Sequence, residues 1–473
     1  MRVLLKGGAY TARSIIADAQ RCVNLYPENN PEDAEAPVTH YPTPGLRVYS
    51  TPPIAGESRC IYTASNGQRF EVVASNVYAV SSIGAYTLLG NLTTTTGPVS
   101  IQDNGIDAVV VDGSPTGFTI HLGTNVWAQI TDPAFYGADR VDYVDGYFIF
   151  NKPGTQQFYI SNYQSVTFNP LDIASKSTAP DLLVTLAVMH REIWMFGQKT
   201  IEVWFNTGAS DFTFGRMPGV FIEHGCAAKH SVAKIGLTLF WLGQDDRGQG
   251  IVYAGRNYTA NRISTHALEQ EIATYARIDD AIGCSYQQSG HEFYVLTFPT
   301  ANKTWCFDTA TNMWHQRAYL EADGSLSRHR MNNANLYDGL NLVGDWKTGV
   351  VYVLDQTVFD DNGNPIVRIR SFPHLGANGK RALFRQFIAD MEVGEGVAQD
   401  AYDPELRLRW SDDRGASWGN AVSGNLGKLG EFLTCIQFQR LGYARDRVFE
   451  LSWSAPVKTA LNGAYVDVSS ART

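Results

Sequence analysis

From Arg59 onward the chain is a succession of short apolar runs, each of roughly five residues and each broken by Gly, Asn or Asp. The runs return in sets. RCIYTASNGQRFEVVASNVYAVS begins at Arg59, VSIQDNGIDAVVVDGSPTGFTIHLGTNVWAQI at Val99 and RVDYVDGYFIFNKPGTQQFYISNYQSVTF at Arg140. Further sets begin at Leu183, Ala227, Ala281 and Arg328. Each opens on a strand of small residues and passes a turn such as Asn104-Gly105, Asp145-Gly146 or Ser289-Gly290. A strongly apolar strand follows (AVVV, YFIF, EIWMF, LTLFW, EFYVL), then a third (FTIHL, QFYIS, TIEVW, GIVYA, KTWCF) and an aromatic-bearing fourth. A four-strand unit repeating every 40–54 residues is the pattern of propeller blades, which bury both faces of each sheet against their neighbours. A long β-sandwich also has short strands, but no reason to repeat them in fours. Residues 59–365 are therefore expected to form a β-propeller of about seven blades.

The flanks depart from this rhythm. Residues 21–53 hold seven prolines and no periodicity, so residues 1–58 read as an extended arm. Its apolar stretch Arg21–Pro27 favours an arm docked on something. Past residue 366, LRLRW and RVFELSW alternate in the half-buried manner, and residues 366–473 read as a separate β-sandwich-like module. One helix-like stretch interrupts the fifth set: THALEQEIATYARIDD places Leu268, Ile272 and Tyr275 at i, i+4 and i+7. The predicted fold class is all-β: arm, propeller, sandwich.

Composition refines the picture only in part. The net charge is −9, but the 14 Lys/Arg and 12 Asp/Glu after residue 365 leave the rest of the chain with 24 against 35. The body is acidic and the C-terminal module slightly basic, which argues against a protein that wraps DNA by neutralising phosphates. Six scattered cysteines show no CxxC pair, which predicts free thiols and synthesis in a reducing cytoplasm. MRVLLKGGAYTARS has no signal-peptide core, and no run approaches the ~18 apolar residues of a membrane span.

Candidate chemistry is sparse. SDDRGASW fits the pattern Ser-x-Asp-x-Gly-x-x-Trp, the Asp-box known from sialidases and other propeller glycoside hydrolases. Ser411 and Asp413 can bond the turn backbone, Gly415 can take positive φ, and Trp418 can cover the hairpin. All four roles are structural. Arg191, Arg247 and Arg277 show no spacing that marks them as a carboxylate-binding set, and Asp245-Asp246 and Asp279-Asp280 read as turn acids. His224, Cys226 and His230 lie close in sequence, but no fourth ligand is spaced to complete a metal site. Walker, GxSxG and HExxH motifs are missing, so no catalytic residue, metal or cofactor is expected.

Taken in order, RCVNLYPENN, TPGLRVYS, TIEVWFNTGASDFTFGR, HGCAAKHSVAKIG, RISTHALEQEI and SDDRGASWG resemble the packaged-DNA stabilisation, or tail hub, proteins of short-tailed bacteriophages. The resemblance implies a structural virion protein of the tail. It would attach below the portal and adaptor ring as a homo-hexamer, extend the DNA channel without reading sequence, and carry tailspike or receptor-binding proteins and a plug or needle. An acidic channel wall would let DNA slide. The alternative is a propeller glycan-binding protein or glycoside hydrolase acting on host surface polysaccharide.

Overall fold

A computed structural model describes residues 1–376, 379–395 and 403–470. Seven four-stranded antiparallel units, five of them separate sheets and two of them parts of larger sheets, are arranged around one axis. Their first strands, Ser58–Thr63, Ser100–Asp103, Val141–Val144, Leu183–Met189, Ala233–Ile235, Ile282–Gln288 and Met331–Tyr337, all contribute to the wall of a single central cavity. These units are numbered here as blades one to seven.

Blade three shows why the sequence folds this way. Tyr147–Asn151 is buried along nearly its whole length because both of its faces meet other blades. It is entered through Asp145 (φ 51°) and Gly146 (φ 92°), the pair of positive dihedrals that a two-residue hairpin matched to strand twist requires. Ser289-Gly290 does the same in blade six. Asn104 instead accepts the N–H groups of Ile106 and Asp107 on its Oδ1, so that turn closes through its side chain. The apolar cores lie between blades, as where Val109, Val111, Phe148, Phe150 and Tyr159 pack together between blades two and three. The helix His266–Ile272, capped by Thr265, puts Leu268 and Ile272 into the core between blades five and six.

The seventh blade takes only three strands from its own set: Met331–Tyr337, Leu340–Asp345 and Val351–Asp355. Its outer strand is Gly45–Ser50, antiparallel to Val351–Asp355, so a segment that the sequence reading leaves in the arm closes the ring. Leu46, buried there, packs into the core with Met331, Val343 and Leu354.

The C-terminal module is a sandwich of two sheets, and the arm is built into both. One sheet runs Gln437–Ala444, Ala382–Met391, Leu461–Ser470, Val38–Pro42, Leu25–Asn29, with Arg2–Leu4 also pairing along Leu461–Ser470. The other contains Arg368–Ser371, Asp446–Trp453, Glu405–Ser411 and Val422–Asn425. It continues without a break into the propeller: the arm strand Cys22–Val23 bonds Arg368–Ser371 on one side and the outer strand of blade six, Met313–Leu320, on the other. Val3, Leu5, Cys22 and Leu25 of the arm share one core with Phe372, Phe387, Leu408 and Phe449.

Candidate functional site

The Ser411–Trp418 stretch forms the hairpin between Glu405–Ser411 and Val422–Asn425. Ser411, almost fully buried, donates its hydroxyl to Asp413 Oδ1 (2.6 Å) and accepts the N–H of Gly415 (2.7 Å). Asp413 in turn accepts the N–H of Ser417 (2.8 Å) and its hydroxyl (2.5 Å). These bonds hold the exposed carboxyl at a pKa of about 2, the Ser411 hydroxyl contributing most. Arg414 and Gly415 take φ of 66° and 100°, and a Cβ on Gly415 would lie 3.1 Å from Cβ of Ala19 in the arm. Trp418 lies under the Arg409 guanidinium, 4.8 Å from its centre. Arg409 bonds Glu450, which also pairs with Arg21 of the arm at 3.3 Å and accepts the Ser371 hydroxyl at 2.7 Å. The hairpin therefore connects inward to the arm.

The central cavity holds about 430 Å³ and is lined by all seven first strands, with Arg59, Arg140, Asp142 and Lys234 among its charged groups. Arg59 is locked by the carbonyls of Gly97 (2.5 Å), Ala74 (2.9 Å) and Thr94 (2.8 Å). An adjoining mouth of about 920 Å³ shares Pro98, His230 and Ile282 with it, and its lining includes Arg277, Asp279, Asp280, Arg328 and Trp346. Arg277 chelates Asp279 (2.6 and 3.0 Å), and Asp280 caps Thr300 through its N–H and hydroxyl. Arg191 instead pairs with Asp145 on the outside, and Asp245 closes its own turn by accepting the N–H groups of Arg247 and Gln249. The three arginines are thus not gathered, and the described lining of the mouth contains no tyrosine. His224 stacks on Tyr253 at 4.6 Å, Cys226 donates to the Ala228 carbonyl, and His230 is half-buried, with desolvation depressing its imidazole to about 3. Among the described residues no three His, Cys, Asp or Glu side chains are grouped as a metal site requires.

The densest polar chemistry lies where the arm threads between the two bodies. Asn24 (φ 54°) donates its amide to the carbonyls of Ala318 (2.9 Å) and Val367 (2.8 Å) and accepts the Ala318 N–H (2.8 Å). One side chain thereby joins arm, blade six and the entry to the sandwich. Arg370 donates to the carbonyls of Arg21 (3.1 Å) and Gly7 (2.8 Å), Arg317 to that of Pro44 (2.9 Å), and Arg368 to those of Phe359 (3.0 Å) and Ala455 (3.1 Å). Burial lowers the pKa of Arg368 to about 10, and burial also lowers that of Arg370 below the usual guanidinium range. Burying a guanidinium is costly unless its donors are used, and here backbone carbonyls take terminal N–H groups of all three, while the Nε of Arg317, Arg368 and Arg370 is buried without a partner. Sequence reading missed this set because its acceptors are backbone carbonyls, which for Arg317 and Arg370 lie between 273 and 363 residues away.

A model of the bacteriophage P22 Gp10 β-propeller matches residues 1–359, and a model of the bacteriophage P22 Gp10 β-sandwich matches residues 368–469. The chain belongs to this family. It is a structural protein of a phage tail and of the virion. The propeller match begins at residue 1, so it takes in the arm strand that closes blade seven. The two matches meet across residues 360–367, the stretch that runs beneath Asn24 and Arg368. No curated protein matches the chain in sequence. Among solved structures it is similar to a chain of the mitotic checkpoint complex at 12% identity, covering 70% of this chain and 96% of that one, TM-score 0.45. It is also similar to the WD40 β-propeller domain of Doa1 (10% identity, 66% and 96% covered, TM-score 0.41). A third similarity is to BamB from Moraxella catarrhalis (10%, 71% and 98%, 0.39).

Proposed function

We propose that this protein is a tail hub: six copies attach below the portal and adaptor ring, prolong the DNA channel and help retain packaged DNA. Tailspike or receptor-binding proteins and a plug or needle dock on it, and the work is done by interfaces without catalysis. The observation that carries this reading is the match of both Gp10 domains, in order, over nearly the whole chain. The arm supports it physically, since a hub under DNA pressure benefits from bodies that share strands and do not merely touch.

Within this reading, residues 1–58 act as the arm, 59–365 as the propeller and 366–473 as the sandwich, with arm strands lent to both. Ser411, Asp413, Gly415 and Trp418 serve as a structural turn that cradles the arm. The DNA channel runs between copies. The axial cavity of one propeller, at 430 Å³, has room for little more than a dozen waters at ~30 Å³ each, whereas the major groove of a duplex is already ~12 Å wide.

The test is assembly. Purified protein mixed with portal–adaptor complexes should bind, and the mass of the product should correspond to six copies. A protein that stays monomeric and binds nothing would sink the reading, and release of sugars from host polysaccharide would favour a glycosidase instead.

A further inference from the structure

The sandwich sheet that carries arm strands has two outer edges of opposite character. One edge is Leu25–Asn29, whose hairpin to Val38–Pro42 bears Glu32 and Asp33, both exposed. Glu35, at the base of that turn, is engaged by Arg2 and by the Tyr465 hydroxyl. Glu32 and Asp33 have no partner among the described residues. The other edge is Gln437–Ala444, paired only with Ala382–Met391.

That second edge is deformed in a particular way. The pairing steps from Phe384↔Gly442 to Gln386↔Gln439, so Arg385 faces the two residues Arg440 and Leu441. Against Leu461–Ser470, Arg385 is again the extra residue between Phe384 and Gln386. Arg440 sits at φ 60°, a conformation that a bulky side chain rarely takes. Bulges of this kind re-aim side chains, and strain kept at an exposed position suggests a use for it. Both arginines are exposed and form no ion pair or hydrogen bond among the described residues. They flank a groove of about 460 Å³ whose one acid is Asp467. Beside it Arg381 lies over the ring of Tyr443, which is 53% exposed. The loop leading into this edge leaves Phe432 and Leu433 in solvent, the latter 97% exposed. Arginine and tyrosine around a partly apolar surface is the composition of an interface centre.

We propose that this edge docks a second copy of the chain: the Glu32–Asp33 turn of one copy enters the groove between Arg385 and Arg440 of the next. The inference rests on the hub reading, because that reading supplies the ring of copies. The charges complement each other, and they stand on opposite edges of one sheet. A contact between different patches on successive copies repeats head to tail and closes into a ring when the rotation allows. A charged, bulged edge could instead serve only to prevent unwanted strand pairing. Glutamate would guard the edge as well as arginine does, so charge reversal separates the two roles.

The experiment uses full-length chains carrying E32K/D33K or R385E/R440E, with folding checked by thermal melting and assembly counted by mass on portal–adaptor complexes. Each variant alone should associate with its own copies at least about tenfold more weakly than the parent. Mixing the two variants should restore assembly, because the reversed turn then meets the reversed groove. Variants that each assemble like the parent would overturn the pairing while leaving the hub intact. Failure of the mixture to recover would overturn it too, as would precipitation of R385E/R440E. A parent chain that never loads onto the portal complex would instead overturn the hub reading, and this inference with it.

Discussion

Asp361 carries a carboxyl where the fold offers its Oδ1 no hydrogen-bond partner, in the short strand that pairs with Leu46. Burial pushes its pKa up to about 7, with Arg317 and Arg368 pulling the other way but less strongly. The folded protein thus holds this proton more tightly than the unfolded chain, in which aspartate titrates near ~3.9. The group's contribution is fully present below about pH 4, declines as the pH climbs through about 7, and stays lost above that. Asp361→Asn should therefore be more stable than the parent at about pH 8 by an amount on the order of a few kcal/mol, and no more stable than the parent at about pH 4. Identical melting at both pH values would mean that the charged carboxylate is well solvated. Ser411 behaves differently, since its hydroxyl uses both a donor and an acceptor bond in a buried position. Ser411→Ala should cost about 1–2 kcal/mol in denaturant unfolding and leave portal loading unchanged. Loss of loading at unchanged stability would give the hairpin a direct role in binding.

At the scale of strands, what could be read in advance was what the chain encodes locally. The runs YFIF and LTLFW announce strands buried on both faces, and Asp145-Gly146 announces its hairpin within two residues. The hydrogen bonds within Ser411–Trp418 are local in the same sense, spanning at most four residues. Gly45–Ser50 was not. GLRVYS has no signature that tells an arm from an outer blade strand, and its partner, Val351–Asp355, lies about three hundred residues away. The arm's share in the sandwich and the arginines that hold it were hidden likewise, because a backbone carbonyl leaves no trace in sequence. The ring closure itself is testable. Leu46 is buried in the core shared by blades six and seven. Leu46→Ala should lower stability by about 2–4 kcal/mol and speed hydrogen exchange at Val351–Asp355 before other blades. Uniform acceleration around the propeller would show that closure is not the weak point.

For the whole molecule, the arm converts two domains into one mechanical unit. Domains joined only by a linker move and unfold independently by default. Here one strand bridges the two sheets, Asn24 ties three segments, and Arg370 grips the arm from the sandwich side. Each buried bond to a charged guanidinium is worth about 1.5–3 kcal/mol, so the junction rivals a modest domain interface in strength. The intact protein should therefore unfold in a single calorimetric transition. Replacing both residues, Asn24→Ala with Arg370→Ala, removes the side-chain bonds to the carbonyls of Gly7, Arg21, Ala318 and Val367 and loosens the arm from both bodies. That variant should show two transitions, with the sandwich melting first because four arm residues complete its core. It should also load onto portal complexes poorly even at temperatures where both domains remain folded, since a hub transmits force only through a continuous path. Two transitions in the parent chain, or full loading by the uncoupled variant, would assign the arm to stability alone.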